Sequence, residues 1–415
     1  MIKFIHTADI HFGMENYGKI DPQTGIHGRL LDFSHALHYC IDHAIEEDVD
    51  FFLFCGDAYK THHPSQTQQK LFFDALLRLY AHNIPVVIIV GNHDHPLSFG
   101  KAHALNLFAQ LPFDGFHVVE KPKIIHLKTK SGMVQIVGIP WPTRNTIALH
   151  HTHNIKTAAE ITSYISQSIV TIIQTMAHQL DPAIPSILAA HLTVTSGIFS
   201  GSEKKAIYGT DPLFLPSQLA IEPFDYVALG HLHRYQNVNQ SSHIPIIYSG
   251  SIERIDFGER KEDKGFCQVT IKKKGVCNFE FVKIPTRPFI YIETKLEPHS
   301  CQTEQLLKQI QSHDTKDAIV RIAYHVPAGK NDVVDLQKIE YALHNSFHIA
   351  GITPILQPLQ RSHRNQTISN SSMDQATLLK NYFTLKPELK ERQDELIEKA
   401  IKLLQEAEDA SDHED

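Results

Sequence analysis

Three times within its first 94 residues the chain runs a largely apolar stretch straight into a cluster of polar residues. Ile2–Thr7 leads to Asp9-Ile10-His11, Asp50–Cys55 to Gly56-Asp57, and Pro85–Val90 to Gly91-Asn92-His93-Asp94. These stretches lack the every-second-residue alternation of a half-exposed strand. A strand that is apolar on both faces must be covered on both faces. Two stretches with helical periodicity, about Arg29 to Glu47 and about Ser65 to His82, stand between them. The pattern predicts βαβ units in a buried, largely parallel sheet. Functional groups in such sheets gather beyond the carboxyl ends of the strands, where all three clusters fall.

After a less regular middle the pattern resumes. A helical stretch, Ile155–Gln179, precedes a strand over Ser186–Ala190 that ends at His191, and a strand over Tyr226–Leu229 ends in Gly230-His231-Leu232-His233. Strands over Ile244–Tyr248, Phe266–Ile271 and Asn278–Lys283 complete an expected α/β sandwich of two mixed sheets flanked by helices, residues 1–284. The character changes at Pro285. Residues 285–357 read as a small α+β capping domain without any of the polar clusters, 358–372 as a linker, and 373–405 as a helix pair. The second of these helices, from Pro387, carries Leu389, Leu396, Ile397, Ala400, Ile401 and Leu404 on one stripe. On a tethered helix pair such a stripe is expected to be covered by a partner protein. Residues 406–415 are expected to be a disordered acidic tail.

The polar clusters offer imidazole, carboxylate and one amide oxygen, with no thiolate. That mixture suits two divalent ions of the manganese, iron or zinc kind. Asp9 and His11 lie two apart and so face the same side, and His231 and His233 repeat that spacing. A pair of ions about 3.5–4 Å apart needs a bridging carboxylate, and Asp57 is the candidate. One ion would take Asp9, His11, Asp57 and His233, the other Asp57, Asn92, His191 and His231. His93, beside Asn92, is placed to give a proton to a leaving alkoxide, since an imidazole titrates near neutral pH. Asp94 is expected to orient that ring. The chain has 29 histidines, so none identifies a metal site alone; the ordered set at five strand ends does.

Composition bounds the rest. The five cysteines are odd in number and form no C-x-x-C pair, which fits a reducing cytoplasm. The N-terminus has no signal-peptide pattern and no apolar run approaches the roughly 20 residues of a membrane span. Net charge is −7, but six acids against one lysine in residues 401–415 account for most of it. Two ions would add about +4 at the site itself, so overall charge does not exclude a polyanionic substrate.

In this order Asp-x-His, Gly-Asp, Gly-Asn-His-Asp, His and Gly-His-x-His resemble the calcineurin-like metallophosphoesterases. The opening His6-Thr7-Ala8-Asp9-Ile10-His11-Phe12-Gly13, the segment His191-Leu192-Thr193-Val194 and the run from Tyr248 to Glu259 (Tyr-Ser-Gly-Ser-Ile-Glu-Arg-Ile-Asp-Phe-Gly-Glu) resemble the SbcD-type DNA exonucleases more closely. That resemblance implies manganese-dependent 3′-to-5′ exonuclease action on double-stranded DNA and endonuclease cutting of single strands and hairpins. It also implies a coiled-coil SbcC-type ATPase, itself the user of ATP, bound through about residues 373–405, and a homodimer formed through early helices. Some relatives carry a histidine three residues after the bridging aspartate; Lys60 stands there in this chain.

Lys60, Arg254, Arg260 and Lys261 are expected DNA contacts, with Lys264 and the triplet Lys272-Lys273-Lys274 as further candidates. Phosphate contact needs no more than such cations. The alternative reading keeps the same metal core but gives it a small-molecule or protein phosphomonoester as substrate.

Overall fold

The computed structural model describes residues 1–95, 102–111, 114–143, 157–201, 211–240, 242–356, 377, 379–380 and 392–411. The chain divides into two compact units, one of residues 1–294, 303–323 and 335–353, the other of 295–302, 324–334 and 354–415.

The first unit is built on two six-stranded sheets. The first has the order β14-β13-β1-β2-β3-β4, from β1 (Ile2–Thr7), β2 (Phe51–Phe54), β3 (Val86–Ile89), β4 (Phe116–Val119), β13 (Gly265–Lys273) and β14 (Val276–Lys283). β1 through β4 run parallel and the β13–β14 hairpin joins antiparallel at β1. The second has the order β11-β12-β10-β7-β6-β5, from β5 (Lys123–Thr129), β6 (Gly132–Ile139), β7 (Ser186–His191), β10 (Tyr226–Gly230), β11 (Gln236–Asn237) and β12 (Ile246–Tyr248). A minor pair, β8 (Thr193–Val194) and β9 (Leu213–Phe214), lies beside it in sequence.

Side-chain alternation assigns each layer. Phe51, Leu53, Val87 and Ile89 share one buried cluster with Ile136, Ile187, Ala189, Ala228 and Ile247, so these residues fill the space between the two sheets. Phe52, Phe54, Val86 and Ile88 turn the other way, onto α1 (Gly28–Glu46) and α2 (Gln66–Ala81). Leu188, Ala190, Val227 and Leu229 turn onto α3 (Ala158–Ala177). Both faces of the central strands are thus buried, which is why their sequences show no alternation. Ser65 and Thr157 each close a reciprocal capping box with a residue three further on, and so fix where α2 and α3 start.

The middle that lacked clear periodicity is β4, β5 and β6. β5 alternates between exposed and buried positions because it is an edge strand, with Lys123, His126 and Lys128 outward.

Beyond Pro285 come β15 (Phe289–Lys295), α4 (Gln302–Gln311), β16 (Ile319–Val326), α5 (Leu336–Ala342) and β17 (His348–Leu356), with the strands paired in the order β15-β16-β17. Within the first unit, Phe257, Phe289 and Ile319 form a small core with Tyr17, Tyr291 and Phe347 packed on it. Arg287 grips Asp32 of α1 with two hydrogen bonds of 2.8 and 2.7 Å and lies over the Phe347 ring. Within the second unit, Gln302 binds the backbone of Asn331 and Val333, and the Tyr324 hydroxyl donates to Asp332. Its last element, α6, spans Gln393–Ser411, six residues into the stretch expected to be a disordered tail. Ala407, Glu408 and Ala410 are good helix formers and keep the turn going. The expected linker and nearly all of the first helix of the expected pair, residues 373–383, lie outside the described residues.

Candidate metal centre

β1 ends at Thr7, and the backbone then takes left-handed steps at Asp9 (φ +54°) and His11 (+52°). Asp57 (+59°) and His231 (+100°) share this region. It costs a residue with a Cβ on the order of 1–3 kcal/mol, and such residues collect where a side chain must point one way. Of the eight described non-glycine residues with positive φ, four are expected ligands. The first two loops are held together by backbone: the N–H of Asp9 donates to Gly56 O at 2.9 Å, and that of His11 to Asp57 O at 3.0 Å. Gly56 (φ +95°) and Gly91 are glycines for want of space, since a Cβ at either would strike His191 Nδ1 or Asp57 Oδ1.

The donors converge in linked groups. Asp9, His11 and His233 offer atoms within 4.8 Å of one another, as do Asp57, His191 and His231, and as do His11, Asp57 and His93. One oxygen links them: Asp57 Oδ2 lies 3.7 Å from His11 Nε2 and 3.5 Å from His191 Nε2. Asn92 Oδ1 lies 2.9 Å from His191 Nε2 and 3.1 Å from His231 Nδ1. All seven side chains expected from the sequence are brought together here.

Whether a cation fits can be read from the protons. His191 Nδ1 sits 2.7 Å from Cys55 O, so it donates there. His233 Nδ1 donates to Glu259 Oε1 at 2.8 Å, and His231 Nε2 faces the Asp211 carboxylate at 3.3 Å. With the outer nitrogen of a neutral His191 or His233 ring tied to an acceptor, and that of His231 turned toward one, the inner nitrogen presents a lone pair. In the neutral rings of His191 and His231 those lone pairs face another acceptor, since both inner nitrogens meet Asn92 Oδ1; His233 Nε2 lies 3.0 Å from His11 Nε2. Acceptors aimed at acceptors in a buried site are satisfied by positive charge. Burial alone would lower the His191 pKa, but the Asp57 carboxylate lifts it to about 9, so without a cation a proton on Nε2 supplies the positive charge that Asp57 and Asn92 Oδ1 draw to that point. Burial pushes the Asp9 carboxyl up to about 7, and with cations in place its charge would be compensated.

Asp94 corrects an expectation. Its carboxylate does not reach the His93 ring; it accepts N–H groups from Asp57 (2.9 Å), Gly91 (3.0 Å), Ala58 (3.0 Å) and Tyr59 (3.3 Å). The turn through Gly91–Asp94 folds the side chain back beneath the Asp57 loop, so Asp94 positions Asp57. Burial and the nearby Asp57 charge push its pKa up to about 7, against those four donors. The His93 ring is held instead by Lys60, whose backbone carbonyl accepts from Nδ1 at 2.7 Å. Nε2 is therefore the nitrogen left for chemistry, on a ring 4.9 Å from that of His11. No side-chain pattern announces a contact made by a main-chain oxygen.

The expected phosphate contacts separate in the structure. The Lys60 and Lys261 side chains are exposed. Arg260 lies over the Tyr291 ring and donates to Phe257 O. Arg254 is turned inward: it donates to Thr286 Oγ1 and to the carbonyls of Arg287 and Glu262. Lys264 is 1% exposed and bonded to Glu259, and Lys274 is tied to Asp225, while Lys272 and Lys273 stay exposed. Arg254, Lys264 and Lys274 thus spend their charge on the protein's own carbonyls and carboxylates.

Sequence reasoning passed over Asp211, Glu259 and Trp141. Trp141, the sole tryptophan, packs against the His231 ring at 4.8 Å. Glu259 closes the Tyr248–Glu259 segment already singled out; Asp211 had no recognisable context.

A family described as calcineurin-like phosphoesterase matches residues 2–235. Among solved structures, a dimetal phosphatase from Danio rerio is similar at 12% identity and a TM-score of 0.38, covering 68% of this chain and 98% of its own. The protein TT1561 of Thermus thermophilus is similar at 10% identity and a TM-score of 0.39, with the same coverage.

Proposed function

The chain belongs to the calcineurin-like phosphoesterase family, and on that footing we propose that it is a two-cation DNA nuclease that works at DNA ends with an SbcC-type ATPase. Members of the family are metal-dependent hydrolases. The observation that carries the two-cation part is the single Asp57 oxygen lying between His11 Nε2 and His191 Nε2. One cation would be held by Asp9, His11, Asp57 and His233, the other by Asp57, Asn92, His191 and His231, with manganese as the proposed ion. Bound there, two divalent ions would polarise a phosphate ester and lower the pKa of water to about 7.

The chain's own residues do the rest. Asp94 holds the Asp57 loop through four N–H groups, so the bridging oxygen is fixed before substrate arrives. His93, its Nδ1 proton held by Lys60 O, holds a second proton at Nε2 for the departing oxygen. The DNA part of the reading is supported by the likeness of His6–Gly13, His191–Val194 and Tyr248–Glu259 to SbcD-type nucleases. Exposed Lys60 and Lys261, with half-exposed Arg260, are the proposed phosphate contacts. A homodimer, and ATPase binding through about residues 373–405, complete the proposal.

The test is incubation of the full chain with end-labelled duplex and hairpin DNA in Mn²⁺, with and without the ATPase, beside a chromogenic phosphomonoester. The expected outcome is shortening from the 3′ end, abolished by chelation. Intact DNA in both cases, with rapid turnover of the phosphomonoester, would replace this reading by that of a phosphomonoesterase.

A further inference from the structure

Glu259 and Lys264 are both fully enclosed, at 0% and 1% exposure, and face each other at 2.8 Å. Every polar atom of the pair has a use. Glu259 Oε1 accepts from His233 Nδ1 at 2.8 Å, and Oε2 accepts the Ile255 N–H at 2.9 Å as well as Lys264 Nζ. The three Lys264 protons have three acceptors: Glu259, Glu262 Oε2 at 3.2 Å, and the backbone carbonyl of His233 at 2.9 Å. The pair therefore grips His233 at both ends, ring and main chain.

Burying an ion pair is a poor way to gain stability, because desolvating both charges offsets most of their attraction. A pair kept at that cost and aimed at one imidazole has another use. A carboxylate on Nδ1–H fixes the tautomer and the ring plane, and makes the opposite nitrogen a better donor. Of the rings converging on the centre, His191 has only a backbone carbonyl in this place, and the Asp211 carboxylate behind His231 is 13% exposed.

We infer that Glu259, backed by Lys264, is a positioning residue that locks His233 in the Nδ1–H form and aims its Nε2 lone pair at the cation shared with Asp9, His11 and Asp57. The inference rests on the reading of His233 as a ligand, but its first test needs neither metal nor substrate. In metal-free, ¹⁵N-histidine-labelled full chain, long-range ¹H–¹⁵N correlation reports the tautomer of each ring, and His233 is identified by the signals lost in His233→Asn. A proton on Nδ1 and none on Nε2 at neutral pH is expected. A proton on Nε2, or exchange between the two forms, overturns the inference.

The second test compares two double variants by competitive Mn²⁺ titration. E259Q/K264M keeps an oxygen acceptor for His233 without a buried charge; E259L/K264M keeps only the volume. The first should stay within about threefold of wild type, and the second should weaken one cation position by about 10–100-fold. Equal affinities in the two overturn the inference; should the leucine variant not fold, the wild-type tautomer decides. Wild-type chain that takes up no cation sinks the functional reading instead, while the tautomer result stands by itself.

Discussion

His93 and Asp94 are adjacent and polar, yet they do different work. His93→Gln should leave cation content unchanged and lower kcat by about 10²–10⁴-fold, the usual scale of one proton-transfer group. Asp94→Asn should lower cation content and activity together, and cost on the order of 2–4 kcal/mol, because N–H groups of a buried loop lose a charged acceptor. Metal analysis beside activity separates the two; an Asp94→Asn chain with full metal content and normal stability contradicts the positioning role. The sequence could place these residues in one loop but not tell which way a carboxylate folds beneath it. The seven candidate ligands were legible because each follows or closes a buried strand, whereas Glu259, Lys264 and the Lys60 carbonyl lie in loops with no periodicity to mark them.

His6 adds a pH effect at the same scale. It is buried between the sheets, with Nε2 donating to Leu229 O at 3.2 Å and Nδ1 accepting from the Tyr226 hydroxyl at 3.0 Å. Burial drives its pKa down to about 3. The folded chain thus keeps His6 neutral, while the unfolded chain protonates it below about pH 6.5. The contribution is complete above that pH and is lost as pH falls towards 3, at up to about 1.4 kcal/mol per pH unit. His6→Gln can keep both hydrogen bonds without titrating, so its acid-unfolding limb should be flatter by up to one proton in this window. An unchanged limb would mean that His6 is not the group responsible.

At the scale of elements, the central strands and α1 to α3 were readable because burial on both sides of the sheets leaves long apolar runs and clear helical stripes. β5 was not, since an edge strand with lysine and histidine outward resembles a loop in a short window. Helix starts depend on single side chains. Ser65 Oγ accepts the Gln68 N–H while the Gln68 side chain returns to the Ser65 N–H. Ser65→Ala should cost about 1 kcal/mol in denaturant unfolding with cation affinity unchanged. An equal loss of cation binding would show instead that the start of α2 supports the centre.

For the molecule as a whole, the sandwich brings loops from both sheets to one place: Asp9, His11, Asp57 and Asn92 follow strands of the first sheet, and His191, His231 and His233 close strands of the second. A cation pair held across that seam should tie the sheets together. Mn²⁺ at 100 times its dissociation constant should stabilise the chain by about 2.7 kcal/mol, seen as a rise in Tm that chelation reverses. The division into two units was not open to sequence, because it follows no change of composition: residues 285–294, 303–323 and 335–353 belong with the first unit and the short segments between them with the second.

Pairing of the cations through Asp57 is most directly measured by electron paramagnetic resonance during a Mn²⁺ titration of the full chain. Two ions per chain with an exchange-coupled spectrum are expected in the wild type, and loss of the coupling in Asp57→Asn. One ion or none at saturation, or two that give only isolated Mn²⁺ signals, would contradict a shared oxygen at this centre.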